Sequence, residues 1–172
     1  MLEIRAEKEE DREAIFEVNK LAFGQEDESR LVDALRESDD FIYELSLVAV
    51  KEGKVVGHIL FSPIAIETEI GYIRVLSLAP MAVLPEFQRQ GIGSELVLKG
   101  LEECERFGHE VVVVIGHPDY YPRFGFSSAK TKGLEAPFEV PDEAFMVLEI
   151  KKGALEGVSG MIKFPPAFDG LV

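Results

Sequence analysis

Two short stretches hold the residues of this chain best equipped for chemistry. The first is Gln88-Arg89-Gln90-Gly91-Ile92-Gly93-Ser94. Gly91 and Gly93 let the backbone approach a ligand closely, and both can take positive φ at little steric cost. An apolar-periodic helix, Ile92 to about Phe107, follows directly. The start of a helix exposes N–H groups that lack internal partners and carries roughly half a positive charge, so it suits an anion. Arg89 adds a formal charge beside it. These residues predict a phosphate cradle. The second stretch, Gly116-His117-Pro118-Asp119-Tyr120-Tyr121-Pro122-Arg123-Phe124-Gly125-Phe126, supplies an imidazole and two phenols at the end of an apolar run.

Two familiar phosphate motifs are absent from the first stretch. A Walker loop needs Lys-Ser/Thr after its second glycine, and Gly93 is followed by Ser94-Glu95. A dinucleotide fingerprint needs GxGxxG, and no third glycine stands in place. The preceding segment, Tyr72 to Val83, is apolar and β-branched, which predicts a buried strand. Pro80 sits within it and cannot donate to a ladder, so a bulge or splayed end is expected there. The backbone of Met81, Ala82 and Val83 is then available to a ligand.

The order strand, Q/R-x-x-G-x-G/A loop and helix resembles the acyl-CoA pyrophosphate loop of the GNAT superfamily of N-acetyltransferases. Tyr121, Gly125 and Phe126 match that family's second landmark, Y-x-x-x-G-F, and the string GHPDYYPRFGF is similar to its YhbS-like branch. The resemblance spans essentially the whole chain. It implies a single domain over residues 1–172 with an α/β (α+β, mixed-sheet) fold, a central, mostly antiparallel sheet flanked by helices. It also implies transfer of an acetyl group from acetyl-CoA, as cosubstrate, to an amine.

Residue by residue, the resemblance gives Met81, Ala82 and Val83 the pantetheine arm. Gln88, Arg89, Gln90, Gly91, Ile92, Gly93 and Ser94 would hold the pyrophosphate. Tyr121 would be the acid that protonates the departing thiolate, with Tyr120 packing beneath the loop. His117 stands where many relatives carry an asparagine and would contact CoA or a tyrosine. The family's usual glutamate base is replaced by Ser77. The proton would leave through water, with Glu26, Asp27 or Glu28 as distant acceptors, or the amine would arrive neutral. A CoA-binding sensor or interaction module that has lost turnover is the alternative that Ser77 leaves open. A homodimer is compatible with the resemblance.

Composition narrows the partners. The chain has 172 residues, 47% hydrophobic and 29% charged, enough for a substantial core. Its 18 basic and 32 acidic residues argue against nucleic acid. Met1 to Glu44 holds 15 acidic and 6 basic residues, a net −9 of the chain's −14. Such a field could draw in a cationic amine, although a solvated helical surface kept soluble by charge is the favoured reading. No apolar run approaches the ~20 residues that cross a bilayer, and the charged start lacks a signal-peptide core. Cytoplasm and no membrane partner are therefore expected. The lone Cys104 shares a helical stripe with Val97 and Leu101 and reads as a core residue. Three scattered histidines make no metal-ligand set.

The remaining elements follow from pattern. Strands are expected at Leu2–Arg5, 44–51 and 54–66, the last two joined by a Glu52-Gly53 turn. Helices are expected from Glu9 through Phe23, ended by Gly24, and over Ser29–Glu37. His58 falls in an apolar strand, where a structural role is commoner than that of a base. Glu110–Ile115 reads as a strand buried on both faces. Ala144–Ile150 reads as the final strand, before an irregular tail whose Met161, Ile162, Phe164 and Phe168 pack back.

Overall fold

Alternating apolar residues make Leu2–Ala6 the first strand, β1, and a short 3-10 turn over Glu9–Asp11 leads into helix α1, Arg12–Phe23. The computed structural model describes residues 1–169. The last three residues of the expected domain lie outside that range. Gly24 ends α1 with φ of 72°, its N–H donating to the Lys20 carbonyl. That left-handed conformation is the cap glycine adopts at least cost. Helix α2 spans Asp27–Glu37, two residues earlier than the pattern suggests. Asp27 and Glu28 sit in its first turn, where the helix dipole favours acids.

Strands β2 (Ser46–Lys51) and β3 (Lys54–Thr68) form the hairpin that Glu52-Gly53 announces. Both turn residues take positive φ, 51° and 78°, as a tight two-residue connection requires. Strand β4 is Gly71–Val83, with a cis Ala79–Pro80 peptide, and helix α3 is Ile92–Arg106. Then come β5 (Val111–Ile115), β6 (Ser127–Ser128), β7 (Leu134–Glu135), β8 (Phe145–Glu149) and β9 (Gly160–Lys163).

Contacts gather into two compact units. The first comprises Met1–Ser62 and Ala79–Glu103. In it β1, β2 and β3 pair antiparallel in that order, with a register shift at Ala49/Val50. Helix α3 buries Ile92, Leu96 and Val97 along one stripe. Gly100 belongs to that stripe because Phe61 on β3 lies against the bare Cα. A Cβ there would collide with Phe61 Cε1.

The second unit comprises Pro63–Leu78 and, among the described residues, 104–169. Its strands β4 and β5 run parallel, with pairing at only Leu76↔Val112 and Ser77↔Val113. Strand β8 pairs antiparallel with β5 on one side and β6 on the other. Strand β9 pairs with both β3 and β7. Two expectations change here. Ile115 is exposed, so only Val111 to Val114 of β5 are buried. The final strand is β9, because Met161 and Ile162 align with β3 instead of packing as irregular tail. Phe164 and Phe168 do pack back, through ring contacts that include Phe138.

The Gly100–Phe61 contact generates the first prediction. Gly100→Ala improves helix propensity by about 1 kcal/mol, but the new methyl must displace a fully buried ring, and overpacking costs about 1–3 kcal/mol. The melting temperature is expected to fall by a few degrees. A rise on thermal denaturation would show that Phe61 moves aside freely.

Candidate active site

The phosphate-cradle stretch begins where β4 ends. Leu84 donates its N–H to the Val56 carbonyl, and a 3-10 turn over Pro85–Phe87 follows. Gln88 and Gln90 are exposed, and their side-chain amides brace the turn. Gln88 Nε2 donates to the Val83 carbonyl at 2.9 Å, and Gln90 Nε2 to the Glu86 carbonyl at 3.4 Å. Their amide nitrogens therefore maintain the shape of the loop. Arg89 lies at φ 65° and Gly91 at φ 85°. For glycine this is free, whereas for arginine it is an uncommon conformation that the surrounding turn must impose.

The first i→i−4 bond of α3 runs from Glu95 N to the Gly91 carbonyl at 3.1 Å. The N–H groups of Ile92 and Gly93 precede it, at the positive end of a 15-residue helix. Ile92 is buried, and Gly93 and Ser94 are half-buried. Upstream, Met81 is half-buried, and Ala82 and Val83 are buried. The ten residues expected to hold the ligand run from the end of β4, through the turn, into the first residues of α3.

In the second unit Tyr121 opens a 3-10 turn, Tyr121–Phe124, capped by Gly125 at φ 99°. Its ring is buried, in edge contact with Tyr120 at 5.1 Å and Phe126 at 5.7 Å between centroids. Gly116 makes room for it, since a Cβ there would lie 2.5 Å from Tyr121 Cε2. Burial, then the neighbouring Tyr120, push the Tyr121 phenol up to about 12. Its hydroxyl makes no hydrogen bond among the described residues. Tyr120 is the less buried of the two and carries Arg123 over its ring at 4.6 Å. The packing role expected of Tyr120 is thus shared with Tyr121. The His117 side chain is exposed, while its carbonyl accepts the Tyr120 and Tyr121 N–H groups. Ser77 is buried opposite Val113.

Sequence patterns did not reveal a buried polar chain in the first unit. Glu7, completely enclosed at its side chain, accepts from Arg36 Nε and Nη2 at 2.9 and 3.0 Å. It also accepts from the Ser46 hydroxyl. With that proton committed to the carboxylate, the Ser46 oxygen is left to accept from His58 Nε2 at 3.0 Å. His58 Nδ1 is then bare and accepts from Asn19 Nδ2 at 3.2 Å. The same amide donates to the Ile15 carbonyl. The five side chains link α1, α2, β2, β3 and the residue after β1. Acid and base at positions 7 and 36 signal nothing in sequence, because they are 29 residues apart.

His58 has no solvent exposure, and burial, with Arg36 in second place, pulls its imidazole down to about 3. It is structural, as the apolar strand implies. Among the suggested bases, Glu26 is tied to Arg30 at 2.7 Å and Lys20 at 3.5 Å, and Glu28 accepts from Gln25. Asp27 is exposed. Among the described residues no group of three His, Cys, Asp or Glu side chains could hold a metal, and no helix is long and apolar enough to cross a membrane.

A glycine-opened helix after a strand, and a Tyr-x-x-x-Gly-Phe turn after a second strand, define an acetyltransferase of the GNAT family. Residues 3–129 match the model of the acetyltransferase (GNAT) domain, and the chain belongs to that family. It is 42% identical to the uncharacterized N-acetyltransferase YjhQ of Escherichia coli K12 over 77% of this chain and 74% of that protein. It is 35% identical to the uncharacterized N-acetyltransferase YhbS of the same strain, over 96% and 98%. The structure of Escherichia coli YhbS in complex with CoA matches at a TM-score of 0.90, with 32% identity, over 97% of this chain and 91% of that one. A Brucella melitensis GNAT-family acetyltransferase in complex with acetyl-CoA matches at 0.81, with 31% identity, over 98% and 99%.

The His58 chain predicts an acid sensitivity. The imidazole's folded value lies below its ordinary 6.5, so the unfolded state binds the extra proton. The stabilisation is complete above about pH 6.5 and is lost as pH falls toward about 3. The slope for one proton is about 1.4 kcal/mol per pH unit. His58→Gln should be less stable at pH 7 and should show a shallower loss between pH 6 and 4. Parallel slopes in urea titrations across that range would contradict this assignment.

Proposed function

We propose that the whole chain acts as one acetyl-CoA-dependent N-acetyltransferase domain that passes the acetyl group directly to an amine. The observation that carries this reading is the left-handed pair Arg89 and Gly91 opening α3. Successive N–H groups in such a turn form a concavity for an anion, and the pyrophosphate of CoA fits it. The two CoA-family complexes among the relatives support the same ligand. Met81 to Val83 provide backbone groups for the pantetheine arm. The acceptor nitrogen attacks the thioester carbonyl, and the carbon–sulfur bond breaks as the amide forms.

Tyr121 stabilises the departing sulfur. Its raised phenol stays protonated throughout the neutral range and can donate a hydrogen bond to negative charge as it develops. Complete transfer from a phenol near 12 to a thiolate whose ordinary value is about 8.5 runs uphill. The proton that ends on CoA is therefore one released by the amine, and Tyr121 holds the charge meanwhile. Ser77 supplies no carboxylate, so that proton travels through solvent. The same Ser77 favours a second reading, a CoA-binding module with weak turnover. Product formation with acetyl-CoA and a panel of amines, read by mass spectrometry, separates the two.

Gly91→Val is expected to lose CoA binding by at least tenfold in calorimetry while the protein still melts cooperatively. Its φ of 85° is strained for any β-branched residue. Undiminished affinity would remove the loop from the site. Tyr121→Phe is expected to lower kcat by roughly 10²–10³-fold, the loss seen when one donor to a developing anion is removed. The KM for acetyl-CoA should hardly change, because the bond matters mainly in the transition state. Unchanged kcat would return Tyr121 to a packing role.

A further inference from the structure

The hairpin beside the loop breaks an ordinary rule of sheet construction. Lys51 and Lys54 are direct cross-strand partners in the β2–β3 ladder. Like charges opposite one another destabilise a hairpin. Both ammonium groups also reach the same ring, with Lys51 Nζ 5.7 Å and Lys54 Nζ 5.8 Å from the centre of Phe87. No ion pair joins either to a carboxylate among the described residues. Glu52 at the hairpin tip and Glu86 beside Phe87, the nearest acids in sequence, pair with neither of them. This occurs in a chain of net charge −14, in which most other lysines pair with an acid.

Phe87 immediately precedes Gln88 and Arg89, and the Leu84-to-Val56 hydrogen bond ties the start of that turn to the same hairpin. Two mutually repelling cations therefore stand at the edge of the anion cradle, a few residues from Arg89. Isolated, they raise the energy of the fold. An anion more highly charged than a diester would relieve the repulsion, because it attracts both at once.

We propose that Lys51 and Lys54 form a second phosphate subsite, for the phosphomonoester on the ribose of CoA. This rests on the CoA reading of the Gln88–Ser94 loop. The phosphomonoester is absent from 3′-dephospho-CoA, which keeps the pyrophosphate, so the two ligands separate the subsite from the cradle. The lysines contribute recognition and touch no reacting atom.

The test is calorimetric titration of the full chain with CoA and with 3′-dephospho-CoA, in the wild type and in the Lys51→Ala/Lys54→Ala double variant. The wild type should bind CoA roughly 5–30-fold more tightly, as one or two partly exposed charge pairs allow. The double variant should bind both ligands alike, with its affinity for 3′-dephospho-CoA unchanged. Lys51→Arg/Lys54→Arg should keep the discrimination, which a merely structural role for lysine would not produce. Equal binding of the two ligands by the wild type overturns the subsite, and so does an equal loss for both ligands in the alanine variant. Failure of the wild type to bind either ligand overturns the CoA reading itself, a different result from failure of the lysines.

Discussion

The site depends on how the chain leaves β4 and enters α3. Between the 3-10 turn at Pro85–Phe87 and the start of α3 the backbone passes through left-handed conformation at Arg89 and Gly91, and the N–H groups of the first turn follow from there. The two glutamine amides that bond back to Val83 and Glu86 keep those angles in place. An arginine at positive φ costs about 1–3 kcal/mol in strained backbone. Here it sets a cation beside a helix N-terminus.

The first unit contains a second, costlier commitment. A carboxylate and a guanidinium removed from water repay their desolvation only when every donor and acceptor is used. Glu7 meets that condition with three hydrogen bonds, and the orientation it imposes on Ser46 passes on to His58 and Asn19. Replacing the chain with apolar residues of similar size could leave stability unchanged. Its distinctive effect is directional, since each member fixes the proton of the next from Glu7 through Ser46 and His58 to the Asn19 amide nitrogen.

Local signals made most of this structure legible. Glu52-Gly53, Gly24 and the apolar stripe of α3 each reflect geometry within a few residues, and each element falls where those residues require. Gly91 was equally readable, because positive φ leaves a compositional mark, whereas Gly93 is helical and the other left-handed residue of the loop, Arg89, carries no such mark. Other features were decided at longer range. The tail became a strand because β3 and β7 offered it partners far away in sequence. Ile115 is exposed at the end of β5, where only the pairing with Phe145 on β8 continues. The relative burial of Tyr120 and Tyr121 turned on Gly116, whose missing side chain admits the second ring. The Glu7–Arg36 pair had no local signature at all.

The burial of Cys104 bears on how the chemistry can be observed. It is the only cysteine of the chain, and its side chain has no solvent exposure. The folded protein therefore offers no reactive sulfhydryl to a disulfide or maleimide dye. Were a CoA thioester consumed as proposed, each event would liberate one such group on CoA, and colour developed in solution would count it directly. The same dye would begin to label the protein only when α3 separates from its packing, so one reagent distinguishes turnover from unfolding.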